Sequence, residues 1–193
     1  MNVNLKQIHG NWEDGWALDK HMLKSEYLGD DQNGRPQFQN TRSEAGEATY
    51  QLKYKGNTSK AIALAEAIAE NIYPKFPTIG FIVPMAASTI RTVQPVNLVA
   101  SELGKLVGIP VFDKILQKIP NGTKLKDLHS KEEKLTAIGD SLRIKGIISN
   151  EGKWNALIVD DLFDTGASME AACKVLKTYS KVDNIYVTTF TWR

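Results

Sequence analysis

A chain of 193 residues, 42 % apolar and 24 % charged, can bury one full core and has the balance of a globular protein rather than a disordered or fibrous one. A net charge of +2 is too small to demand nucleic acid or an anionic membrane as a partner, and no apolar run approaches the ~18 residues of a membrane span. The single cysteine, Cys173, excludes an intrachain disulfide and a cysteine-rich zinc site, and fits a reducing cytoplasm.

The first 45 residues are polar and rich in turn signals, and they lack the apolar stretch of a secretory signal. They are expected to form an irregular extension pinned to the main body by Trp12 and Trp16. His9, His21 and His129 have no metal-ligand spacing and read as surface residues. Residues 44–55 suit a short helix or strand that ends in a turn at Gly56-Asn57. Ser59 is the expected N-cap of a helix whose apolar stripe is Ile62, Ala65, Ile68, Ala69 and Ile72. Thr78 to Val83 reads as a buried strand ended by Pro84. Val96 to Val107 reads as a helix stopped by Gly108, and Ile109 to Phe112 as a second short strand. Residues 113–153 carry an excess of Lys and Arg. They suit either a solvated excursion or a mobile flap over an anionic ligand. Asn155 to Val159 is a third strand, Met169 to Tyr179 a third helix with Cys173 in its core pattern, and Asn184 to Phe190 a fourth strand. Strands alternating with helices predict an α/β fold, a mostly parallel twisted sheet flanked by helices.

The informative stretch is Leu157 to Ser168, LIVDDLFDTGAS. Its Asp164-Thr165-Gly166 could open an aspartic-protease loop. Such an enzyme needs two carboxylates sharing a proton, on an all-β scaffold. Here there is one such triplet, and a helical pattern follows at once. The alternative uses the whole stretch. A buried strand delivers Asp160 and Asp161 to its carboxyl end, where open α/β sheets bind ligands. Adjacent acids suit the vicinal hydroxyls of a ribose, directly or through hydrated Mg²⁺. Thr165-Gly166-Ala167-Ser168 then turns into a helix whose free N–H groups make an anion cup. A diol site and a phosphate site one sugar apart point to ribose 5-phosphate. The bland alternative, an ordinary strand–turn–helix, leaves the paired acids unexplained.

This stretch resembles the phosphoribosyl-pyrophosphate (PRPP) motif of type I phosphoribosyltransferases. The resemblance implies that Asp160 and Asp161 contact the ribose hydroxyls and hold Mg²⁺ through water, and that Asp164, Thr165, Gly166, Ala167 and Ser168 form the PRPP loop. It places Asp164 near the acceptor, either as the catalytic base or as part of the loop structure. Tyr50 to Ile72, Phe81 to Ser88 and Arg91 to Ala100 resemble the ComF-like subgroup. This chain lacks that subgroup's zinc ribbon and has Thr92, Gln94 and Pro95 where the subgroup has Gly, Asn and Gln. The same resemblance makes Pro84, Met85, Ala86, Ala87 and Ser88, with Arg91, the candidate pyrophosphate loop. It makes residues 113–153 a flexible hood, with Lys124, Lys126, Lys131 and Lys134 as candidate phosphate-attracting residues. Lys53 and Lys55 read as structural or surface residues. The implied activity is Mg²⁺-dependent transfer of ribose 5-phosphate from PRPP to a nitrogen heterocycle, releasing pyrophosphate. The rival is a non-catalytic PRPP- or nucleotide-sensing regulator or accessory protein on the same fold. The expected partners are PRPP and a small-molecule acceptor, with neither membrane nor nucleic acid. A homodimer is left open.

Overall fold

In chain order, the strands and helices are β1 (Lys6–Gln7), β2 (Asp14–Lys20), β3 (Lys24–Asp30), β4 (Pro36–Thr41), α1 (Glu44–Tyr54), α2 (Ser59–Asn71), β5 (Phe81–Pro84), α3 (Pro95–Val107), β6 (Leu116–Lys118), β7 (Leu142–Ile144), β8 (Trp154–Phe163), α4 (Ala167–Leu176) and β9 (Val182–Trp192). The structure is a computed structural model and describes residues 1–87, 92–119, 141–146 and 148–193.

Five strands form the central sheet in the order β1-β2-β9-β8-β5. Only β1 is antiparallel to its neighbour; β2, β9, β8 and β5 run parallel. The side-chain period of two sorts the apolar residues onto two cores. Phe81, Val83, Ala156, Ile158, Ile185 and Val187 face α4. Ile82, Leu157, Val159 and Phe190 face α1, α2 and α3. Helices therefore cover both faces, as a parallel sheet requires. Cys173 is fully buried on the core face of α4, in keeping with a packing role. Burial pushes its thiol up to about 12.

The N-terminal segment differs from its expected irregular course. Residues 14–20 are a strand of the main sheet, paired in parallel with β9 through Trp16↔Thr188 and Ala17↔Thr189. The free edge of β9 recruits this polar stretch, a long-range effect that overrides local pattern. Gly15 permits the close approach, since a Cβ there would strike the Val187 side chain. Trp12 is buried, packs edge-on against Phe163 (centroids 6.2 Å apart) and gives its indole N–H to the Ile8 carbonyl, as a pinning role requires. The adjoining hairpin β3–β4 projects with Leu23, Tyr27 and Phe38 exposed.

Other boundaries shift for local reasons. Residues 44–55 hold a helix rather than a strand: α1, Glu44–Tyr54, capped by the Ser43 hydroxyl, which accepts from the Gly46 N–H. The N-cap of α2 is Thr58, without a side-chain cap bond; Ser59 is already helical, and its hydroxyl donates to the Asn57 side chain. Ile62 is exposed rather than part of the buried stripe. Ile109–Phe112 does not become a strand. It makes a single parallel bridge, Ile82↔Val111, because Pro110 has no N–H to extend a ladder. Within 113–153 the described residues include β6 and β7, an antiparallel pair whose Leu116 and Leu142 join the core beside α4. Lys124, Lys126, His129, Lys131 and Lys134 lie outside the described residues.

Candidate functional site

β5 ends at Pro84, opposite Val159 of β8, and the Met85 N–H donates to the Val159 carbonyl at 2.8 Å. β8 runs on past this point through Asp160, Asp161, Leu162 and Phe163, so both acids stand at the carboxyl end of the parallel sheet. Beyond them lies a cavity of about 300 Å³. Asp160 and Asp161 line it from β8, Met85 to Ala87 from the loop after β5, Gln94 to Asn97 from the start of α3, and Lys53 from the last turn of α1. A smaller hollow of about 150 Å³ adjoins it, lined by residues 162–169. The two share Leu162 and Ser168. The hollow is the turn into α4. Gly166 there is left-handed (φ 81°), and a Cβ at this position would sit 3.1 Å from the Phe163 ring. Glycine is therefore required twice over, by conformation and by space.

The charges of the acidic pair are set by their neighbours. Lys53 Nζ lies 2.6 Å from Asp161 Oδ2, with the two side chains 23 % and 20 % exposed, so the pair is only partly screened by water. The Asp161 N–H donates to Asp160 Oδ1 at 2.8 Å. Burial, and next the Asp161 charge, raise Asp160 to about 7, while that N–H and Lys53 pull the other way.

No family model and no curated protein matches this sequence. Solved structures with a similar chain course do exist. Several of them are phosphoribosyltransferases. One is the adenine phosphoribosyltransferase of Trypanosoma brucei in complex with AMP, pyrophosphate and ribose 5-phosphate, at TM-score 0.46 and 10 % identity over 98 % of this chain and 87 % of that one. Another is the adenine phosphoribosyltransferase of Thermoanaerobacter pseudethanolicus, at 0.43 and 14 % over 88 % and 95 %. A third is a hypoxanthine phosphoribosyltransferase from Staphylococcus aureus, at 0.41 and 12 % over 68 % and 62 %.

The sequence-predicted residues divide among these surfaces. Asp160, Asp161, Met85, Ala86, Ala87 and Ser168 meet around the larger cavity. Asp164, Thr165, Gly166 and Ala167 line only the smaller hollow, with Asp164 and Thr165 exposed. Pro84 is buried as the last residue of β5 and does not line either. Ser88 and Arg91 lie outside the described residues. Lys53, expected to be structural or at the surface, enters the cavity and pairs with Asp161. One signal for it existed: Lys53 follows buried Thr49 by four residues, so it continues the inward stripe of α1. Asn97 and Lys118, which no sequence motif marks, also line the cavity, as does Gln94. Among the described residues no group of three or more His, Cys, Asp or Glu is placed to hold a metal ion. Two adjacent carboxylates on an open cavity suit a Mg²⁺ held mainly by substrate oxygens and water, not a closed protein cage.

Proposed function

We propose that the protein is a PRPP-dependent phosphoribosyltransferase acting on a nitrogen-heterocycle acceptor. The observation that carries this reading is the junction of two hollows at one strand end. One is faced by the paired acids, the other is made by a glycine turn opening a helix, and they share Leu162 and Ser168. A ribose in the first could extend its 5-phosphate into the second. There the N-terminal N–H groups of α4 and the Thr165 and Ser168 hydroxyls can donate to it.

In this reading Asp160 and Asp161 accept hydrogen bonds from the ribose hydroxyls and fix the sugar. Mg²⁺, held through water by the same acids, would neutralise charge on the pyrophosphate. The loop Met85 to Ala87 has small side chains at Ala86 and Ala87, which leave its backbone open to the leaving group. The acceptor nitrogen forms the bond to the anomeric carbon as the bond to pyrophosphate oxygen breaks, and the acceptor's proton must leave. Asp164 is our candidate to take it. For that its exposed side chain has to reach from the smaller hollow into the larger cavity.

Pyrophosphate release from PRPP and Mg²⁺ in the presence of a panel of nucleobases tests the activity. Release with at least one base is expected. Mg²⁺-dependent PRPP binding without release from any base would support the second reading, a non-catalytic PRPP- or nucleotide-sensing regulator or accessory protein on the same fold. The start of α3 favours that rival, because Gln94 and Pro95 line the cavity where the ComF-like pattern carries Asn and Gln. Unchanged PRPP binding in Asp160→Asn with Asp161→Asn would remove the site from both readings.

A further inference from the structure

Behind the acidic pair, the ends of three strands are tied together by side chains. His21 follows β2 directly, and its N–H donates to the Trp192 carbonyl at 2.8 Å. Its ring Nδ1 lies 3.1 Å from the Thr191 hydroxyl of β9. That hydroxyl donates to the main-chain carbonyl of Asp161 on β8 at 2.9 Å. A hydroxyl has one proton. Thr191 spends it on the Asp161 carbonyl, so toward His21 it can only accept, and the His21 Nδ1 must carry a hydrogen. In a neutral imidazole, Nε2 is then bare. The surroundings favour that neutral ring. Burial acts first, then Arg193 at the end of β9, Arg42 after β4 and Lys53 on α1 disfavour a further positive charge, while Asp161 alone favours it.

We infer that His21 is a positioning residue for the candidate PRPP site: through Thr191 it fixes the backbone of Asp161 and so the aim of the acid that Lys53 holds. The inference rests on the phosphoribosyl reading of the acidic pair for its functional consequence, but its geometry does not. A hydrogen-bonded donor at the end of β2 reaches across β9 to the one strand that carries both carboxylates. It couples the N-terminal strand, which lies away from the cavity, to the ligand-facing residues. Thr191 is buried, so removing the ring's donor leaves its hydroxyl without that partner and free to turn away from Asp161.

The test combines ring ¹⁵N NMR with calorimetry on the full chain. In the wild type, Nδ1 should be protonated and Nε2 bare, and Thr191→Val should return the ring to the Nε2–H form. With PRPP and Mg²⁺ as ligand, His21→Ala and Thr191→Val should each raise Kd roughly three- to tenfold, the range of one hydrogen bond. The double variant should lose no more than either single one, since both act through one link. His21→Asn, which keeps an N–H donor near the Nδ1 position, should restore Kd to within about twofold of the wild type. A bare Nδ1 in the wild type, losses that multiply in the double variant, or no rescue by asparagine would each overturn the inference. If the wild type does not bind PRPP, the ligand reading falls, and the amide resonance of Leu162, whose peptide group contains the Asp161 carbonyl, decides the positional one. It should move in His21→Ala and return in His21→Asn; an unmoved resonance overturns the inference.

Discussion

Replacing Asp160 by asparagine should make the free protein more stable at alkaline pH while removing its ligand site. Asparagine keeps the Oδ1 that accepts the Asp161 N–H at 2.8 Å, and it removes a charge that burial and Asp161 both oppose. The folded carboxyl titrates at about 7, against an ordinary value of 3.8. A raised acid holds its proton longer when folded than when unfolded, so stability falls as pH climbs from the unfolded value through the folded one. At 1.36 kcal/mol per pH unit, ionised Asp160 costs roughly 4 kcal/mol at about pH 8 and roughly 0.5 kcal/mol at about pH 4. The first figure is a ceiling, because the carboxyl faces an open cavity and shares its proton equilibrium with Asp161. Urea unfolding of wild type and variant at both pH values measures the difference. A gain of at least about 1 kcal/mol at alkaline pH is expected, equivalent to about 2–4 °C in Tm for a chain of this size, with a much smaller gain in acid. Calorimetry on the same samples should show PRPP binding lost. An equal gain at both pH values, or none at alkaline pH, would refute the claim that Asp160 is a strained charge.

Lys53→Met breaks the ion pair with Asp161 and removes a charge that lowers Asp160, so PRPP·Mg²⁺ binding should move to higher pH, read by calorimetry across a pH series. Its stability cost should be about 1–3 kcal/mol, between an exposed pair and a buried one. Gly166→Ala forces a side chain into a left-handed conformation against the Phe163 ring; denaturant unfolding should show a loss of about 1–2 kcal/mol, with weaker PRPP binding. Cys173, buried and pushed up to about 12, should resist a disulfide reagent at mildly alkaline pH and react only after denaturant is added. Prompt labelling of the native protein would contradict its burial.

The parts of the fold and site that sequence reveals are those whose causes lie within a dozen residues. β8, its terminal acids, the Gly166 turn and α4 are contiguous, and their order alone places a strand end beside a helix start. β2 was hidden because its apolar run is only Trp16, Ala17 and Leu18, set between Asp14-Gly15 and Asp19-Lys20; it is a strand because β9 presents an edge to it, some 170 residues later in the chain. Lys53 was hidden for the same reason, since its partner Asp161 is 108 residues away. The distinction matters chemically. Two adjacent aspartates are a pattern, and a pattern is silent on charge. Asp160 is raised to about 7 because the fold buries it beside Asp161, while the Asp161 N–H and then Lys53, brought to the pair by α1, pull the other way. The Thr191 link from His21 adds a third long-range contact, on the backbone rather than the carboxylates. The motif therefore specifies which atoms face the cavity. Residues from α1, β2 and β9, outside the motif, govern the charge and the aim those atoms present to it.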